Sequence, residues 1–246
     1  MSDINPYIIA LGNFDGLHLG HKALLEEIIA IKKAMAEDNK KSISAVVTFY
    51  PHPLAYLKGY SPPLLLGDEE KAAFLKEYMA IDEICTLNFD EKMANSDPQS
   101  FLEQLLLEKM PACHVVIGFN FRFGYQGKGD GEFLKNFCRQ HNIGISIIPA
   151  VKDDLGIISS SFIREKISQG QIEAADQMLG YWYHMAGKVV HGKQLGRTIG
   201  FHTANVLPPQ NRQLPPNGVY AVRVIYHGCL YSGIANIGFR PTVEKK

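Results

Sequence analysis

A short apolar strand running straight into a glycine turn and then a helix is the feature that most constrains this chain. Tyr7-Ile8-Ile9-Ala10-Leu11 is a continuous apolar run, which predicts a strand buried on both faces. The turn is Gly12-Asn13-Phe14-Asp15-Gly16-Leu17-His18-Leu19-Gly20-His21, and from Lys22 to Ala36 apolar residues recur near helical spacing. Three glycines let the backbone bend and let a ligand approach closely. The first helical turn offers unpaired N–H groups to an anion such as a phosphate. His18 and His21, three residues apart, share one face of that helix start. Imidazoles placed there, protonated or polarised, suit the charge that builds on a phosphate under attack. An isolated H-x-G-H is equally well read as a turn with two surface histidines. Here the flanking strand, the flanking helix and the adjoining G-N-F-D-G weigh toward function.

Composition narrows the class. The chain has 246 residues, 46% hydrophobic and 20% charged, and 25 basic residues balance 25 acidic ones. A net charge of zero argues against bulk binding of nucleic acid or membrane surface. No apolar run reaches the roughly 20 residues that a membrane helix needs, and the first residues lack the basic and apolar regions of a signal peptide. Cys85, Cys113, Cys138 and Cys229 are widely spaced and form no C-x-x-C, so they read as reduced thiols of a cytoplasmic protein. The charge is unevenly spread. From Met185 to Lys246 there are eight basic residues and one acid, Glu244, which leaves 17 basic and 24 acidic residues before them. The shift predicts two modules, residues 1–183 and 184–246.

In the first module, strands expected at 44–49, 81–87, 114–118 and 145–150 alternate with helices expected at 68–79, 98–106 and 132–141. That order predicts an α/β fold: a parallel sheet with helices on both faces. Tyr50-Pro51-His52-Pro53 stops the second strand and puts His52 where parallel sheets collect ligands, just past a strand's C-terminal end. Residues 119–131 hold three phenylalanines alternating with polar residues and then four glycines. Alternation also suits a half-buried strand, but the glycines predict a mobile loop whose aromatic, amide and guanidinium groups suit a flat ligand with polar edges. Ser159, Ser160 and Ser161 precede a helix, and Arg164 near its start opposes the helix dipole unless an anion sits there. A forked guanidinium suits phosphate oxygens.

These motifs resemble, in order, those of the prokaryotic FAD synthetase family, in which an FMN adenylyltransferase domain precedes a riboflavin kinase domain. G-N-F-D-G-L-H-L-G-H resembles its ATP-binding signature, T-F-Y-P-H-P its T-F-x-P-H-P motif, and G-F-N-F-R-F-G its flavin-side motif. I-S-S-S-F-I-R resembles I-S-S-T-x-I-R, with Ser161 in place of the usual threonine. The resemblance implies a Rossmann-like nucleotidyltransferase domain that joins ATP and FMN into FAD and pyrophosphate. Mg2+ is expected on the ATP phosphates, because the sequence offers no dedicated carboxylate cluster as metal ligands. The resemblance also implies nucleotide contacts from Gly12, Asn13, Phe14, Asp15, Gly16, His18, His21, Ser159, Ser160, Ser161 and Arg164. His18 and His21 would stabilise the α-phosphate and Arg164 the leaving pyrophosphate. Phe49, His52, Asn120, Arg122 and Phe123 would face the flavin.

From Met185 the signals turn to β. Residues 187–206 resemble the nucleotide loop of riboflavin kinases, with Thr203 and Asn205 in the Thr-Ala-Asn element and His202 where proline is usual. The expectation is a small, incomplete antiparallel β-barrel module of riboflavin-kinase type. Glu244 is the single carboxylate after Met185, whereas phosphorylating a hydroxyl generally uses a positioned carboxylate. The chain is therefore expected to act as an FMN adenylyltransferase with a silent kinase module. The alternatives are a piece of a longer bifunctional enzyme, an adenylyltransferase with a different acceptor, and a non-catalytic flavin-binding regulator.

Overall fold

A computed structural model describes residues 5–190 and 203–238. Sequence expectations at residues 191–202 and at Glu244 lie outside these residues. In chain order the elements begin with β1 (Tyr7–Leu11), α1 (Leu19–Glu37), β2 (Ile43–Tyr50), α2 (Pro53–Lys58), α3 (Asp68–Ala73) and β3 (Glu83–Asn88). They continue with α4 (Glu91–Ala94), α5 (Pro98–Leu102), β4 (Ala112–Gly118), α6 (Gly131–Gln140) and β5 (Gly144–Ile148). After the short pair β6 (Lys152–Asp153) and β7 (Gly156–Ile157) come α7 (Ser160–Ser168) and α8 (Ile172–Leu179). The second module supplies β8 (Lys188–Val190), β9 (Asn205–Leu207), β10 (Gly218–Tyr226) and β11 (Cys229–Ile237). Wider, π-type turns carry α3 on through Phe74–Tyr78 and α5 on through Glu103–Lys109.

Five strands form one parallel sheet in the order β3-β2-β1-β4-β5. Alternate residues of β1 serve opposite faces. Ile9 and Leu11 join a core with Val47, Val115, Leu102, Leu106, Leu134 and Phe137, whereas Ile8 and Ala10 join Leu24, Leu25, Ile28 and Leu75 on the other side. Both faces are covered, which is why the strand reads as an unbroken apolar run. A third cluster packs α7 and α8 against Leu65 and Ile158.

Local signals set the boundaries. Asp97 caps α5 ahead of Pro98, as expected of that pair, and Gly180 ends α8 in the left-handed conformation. The strand expected from Ile81 begins at Glu83, because Ile81 is buried in the core beside α1 and serves as packing. In the second module β8 pairs with β9, and β10 pairs with β11 through a two-residue turn at His227 and Gly228, both at positive φ. The strands are antiparallel, as their sequence predicts.

Candidate active site

The chain order places three loops together. The strand order reverses between β1 and β4, the crevice where open parallel sheets take ligands. Because β2, β1 and β4 are parallel neighbours, the T-F-Y-P-H-P segment, the histidine loop and the phenylalanine-rich segment all leave the same sheet edge.

The histidine loop is tightly built. His18 is the N-cap of α1, and its Nδ1 accepts from His21 N at 3.3 Å. The two rings stack with centroids 3.8 Å apart and planes 18° apart. Gly20 makes this possible, since a Cβ there would lie 3.1 Å from the His18 ring. Burial lowers the His18 pKa to about 4, with the Arg164 charge adding to the effect. Burial, and then His18 itself, holds His21 well below the ordinary imidazole range. The expectation of protonated histidines is thus narrowed to neutral, polarised ones. His21 Nδ1 is buried without a hydrogen-bond partner, a cost that a ligand atom would relieve.

Asp15 organises the loop from beneath. The residue is 4% exposed. Its Oδ1 accepts from Leu65 N at 3.0 Å and Leu66 N at 3.4 Å, and its Oδ2 accepts from Arg164 Nη2 at 2.5 Å. Arg164 also donates through Nε to Pro63 O at 2.8 Å. The anion that sequence reasoning sought for Arg164 is, in the structure, this carboxylate, 149 residues earlier in the chain. Ser160 Oγ donates to Asp15 O at 2.8 Å and Tyr181 OH to Gly16 O at 2.6 Å. Ser159 caps α7 by accepting from Phe162 N, and Ser161 is exposed. Phe14 is fully buried and packs on His21 at 5.1 Å. Gly16 has φ 81°, and a Cβ there would come within 2.8 Å of Leu65 Cδ1.

The neighbouring loops meet this one. Gly12 N donates to Val47 O at 3.1 Å, and Thr48 Oγ1 donates to Asn13 O at 3.1 Å. Exposed Asn13 places Nδ2 3.5 Å from Nε2 of half-buried His52. His52 caps α2 by accepting from Leu54 N at Nδ1, so a neutral ring carries its proton on Nε2. Burial, and then Arg164, lowers its pKa. Phe49 is partly buried and packs edge-on against Phe89.

The segment after β4 is more closed than the mobile loop expected from its glycines. Phe123 N donates to Gly129 O at 3.1 Å and Gly129 N returns to Phe123 O at 2.9 Å. Phe123 is 6% exposed and sits in the core against Phe101, Phe121 and Phe133. Alternation here thus records burial, while from Phe119 to Phe123 the exposed side chains are Phe119, Asn120 and Arg122. Arg122 pairs with Asp130 at 3.3 Å, and Asp130 caps α6.

Sequence reasoning missed three residues that shape the site: Thr48, Tyr181 and Lys71. Thr48 is the first residue of T-F-Y-P-H-P, which was the available signal. Tyr181 acts over 165 residues and carried no local signal. Lys71, on α3, adds positive charge felt by His21 and His52.

Comparison with known proteins follows the same motifs. Residues 1–162 match the family model described as FAD synthetase, and residues 179–246 match the one described as riboflavin kinase. A bifunctional riboflavin kinase/FMN adenylyltransferase of Bacillus subtilis is 35% identical over 240 residues, covering 97% of this chain and 74% of the relative. The Escherichia coli K12 protein of the same description is 35% identical over 96% of this chain and 74% of its own. A crystal structure from Streptococcus pneumoniae, described as a macrolide-efflux protein, superposes with a TM-score of 0.85 at 32% identity, covering 99% of this chain and 77% of that one. Among the described residues of this chain, no helix is long and apolar enough to cross a membrane.

Proposed function

The chain belongs to the FAD synthetase family and is an FMN adenylyltransferase, and from that premise we propose how its residues divide the work. ATP and FMN are the substrates and FAD is the product. An FMN phosphate oxygen attacks the α-phosphorus of ATP, the bond to the β-phosphate bridging oxygen breaks, and pyrophosphate leaves. The nucleophile is already an anion, so alignment and charge stabilisation carry the rate, with no general base needed.

The observation that carries this division is the stacked pair of neutral imidazoles at the sheet's switch point. His18 and His21 meet the α-phosphate, and the buried, unpartnered His21 Nδ1 supports a ligand at that ring. Gly12 to Gly16 cradle the adenosine phosphates with backbone groups. Both oxygens of Asp15 are engaged by Leu65, Leu66 and Arg164, so it shapes the loop and magnesium is carried on the nucleotide phosphates. Arg164 holds Asp15 and brings positive charge toward the departing pyrophosphate, beside the serines that begin α7. His52, Asn120 and Arg122 face the flavin, with Phe49 and Phe123 setting the floor beneath it. The boundary between modules falls near Tyr183.

The kinase module of this 246-residue chain is silent in our reading. The chain keeps Thr203 and Asn205, and Asn205 opens β9. Yet the strands beside them leave their apolar side chains in solvent, a poor platform for a second active site. Incubating the chain with ATP and magnesium, separately with FMN and with riboflavin, and resolving the products by chromatography tests both halves. FAD from FMN with no FMN from riboflavin is expected. FMN formed from riboflavin would overturn the silent-kinase reading, and flavin bound without pyrophosphate release would favour a regulator.

A further inference from the structure

The link between the modules runs through one buried guanidinium. Arg212 lies between β9 and β10, and its side chain is 2% exposed. Its Nη2 donates to Leu65 O at 3.0 Å and to His184 O at 2.8 Å, and its Nη1 donates to the Glu70 carboxylate. Around it the backbones are stitched together: Leu64 N donates to Asn211 O at 2.7 Å, and Gln213 N donates to Leu64 O at 2.9 Å. Glu70 completes the joint by accepting from Gly67 N at 2.7 Å and from Ala186 N at 3.3 Å.

Leu65 is the residue on which the two modules converge. Its carbonyl is held by Arg212, its N–H by Asp15, and its side chain lies where a Cβ on Gly16 would clash at 2.8 Å. One peptide segment is therefore fixed from one side by the second module and from the other by the histidine loop. A buried arginine is costly unless its charge and donors are met. This one meets its pair in Glu70 and donates through Nη2 to backbone of both modules, while its buried Nε has no partner among the described residues. The same segment leads into α3, which carries Lys71 close enough to influence His21 and His52.

We propose that Arg212 is a positioning residue for adenylyl transfer: from the second module it fixes Leu65, and through Leu65 it sets Asp15 and the loop that presents His18 and His21. The second module thus serves the first reaction whatever its own kinase activity, and the inference rests on the histidine loop being the adenylyl-transfer site. The residue touches no reacting atom and acts through backbone.

The test uses the full chain with Arg212→Met, Arg212→Lys and Glu70→Gln, each checked for folding by circular dichroism. FAD formation is measured against ATP concentration, and amide hydrogen exchange at Leu65 and Leu66 is read in parallel. Arg212→Met is expected to lower kcat about tenfold, the loss that follows about 1.4 kcal/mol of misplacement, with the KM for ATP changing by less than about threefold. Exchange at the two amides should quicken. Arg212→Lys should recover part of kcat, since it keeps the charge facing Glu70 but loses the planar fork. A merely structural staple would lower the folded fraction and leave the kcat of the folded enzyme unchanged. Folded Arg212→Met with wild-type kcat and wild-type exchange overturns the proposal. If that variant does not fold, Glu70→Gln is judged by the same two readouts. Should the wild-type chain form no FAD, the adenylyl-transfer reading fails, and the exchange data decide the coupling separately.

Discussion

The two modules spend similar apolar strands very differently. In β1, Ile8, Ile9 and Ala10 are wholly buried between helices on both sides of the sheet. In the hairpin of β10 and β11, Ile225 is 76% exposed and Ile234 79% exposed, and among the described residues no buried cluster forms there. The contrast shows that an apolar strand becomes core only when a second layer covers it. α1, α5 and α6 supply those layers in the first module. What ties the second module down is polar: the joint of Arg212, Glu70 and Leu64, and Arg223 stacked over Trp182 at 4.1 Å.

That contrast breaks most sharply beneath the histidine loop. Asp15→Asn keeps the acceptor for Leu65 N–H but turns a donor toward Arg164, leaving a part-buried charge unpaired. A loss of about 4 kcal/mol in denaturant unfolding is expected, and a loss under about 1 kcal/mol would show that the pair is solvent-screened. Ile28→Ala, in the core between α1 and the sheet, should cost about 3 kcal/mol. A negligible cost would mean that this face is loosely packed.

The pH dependence sharpens the same point. His18 titrates near 4 in the folded chain against an ordinary 6.5, so between those values the unfolded chain binds the extra proton. Stability from this group is whole above pH 6.5 and declines as pH falls toward 4, by about 1.4 kcal/mol per pH unit within that window. Urea titrations should show wild type losing stability faster than His18→Gln as pH falls from 6.5 toward 4, with the two curves parallel above pH 6.5. Equal slopes against pH in both proteins would contradict the neutral, buried imidazole. The smallest effect belongs to the hairpin, where Ile225→Thr and Ile234→Thr should each change stability by less than about 0.5 kcal/mol. A loss above 2 kcal/mol would show that something covers this face in solution.

Much of the site could be read from the chain because it is local. The turn after β1, the serine cap of α7 and the pairing of Asp97 with Pro98 are fixed by neighbours within a few residues. The partners of Asp15 could not be read this way. Arg164 lies 149 residues away and Arg212 reaches Leu65 over 147, and no periodicity links such positions. The alternation from Phe119 to Phe123 was ambiguous for a related reason. A pattern of period two records that one face is buried but not whether a ligand or the protein's own core buries it, and Phe123 went to the core.

The imidazole pair is the central claim, and FAD formation by His21→Ala, measured beside wild type at saturating FMN with ATP varied, tests it most directly. Wild type should convert FMN to FAD with release of pyrophosphate. The variant should lose about a hundred- to a thousandfold in turnover, the loss typical of removing one donor to developing charge, while its apparent affinity for ATP changes only a few-fold. A folded His21→Ala chain with undiminished turnover would remove the histidine pair from the chemistry and contradict the account.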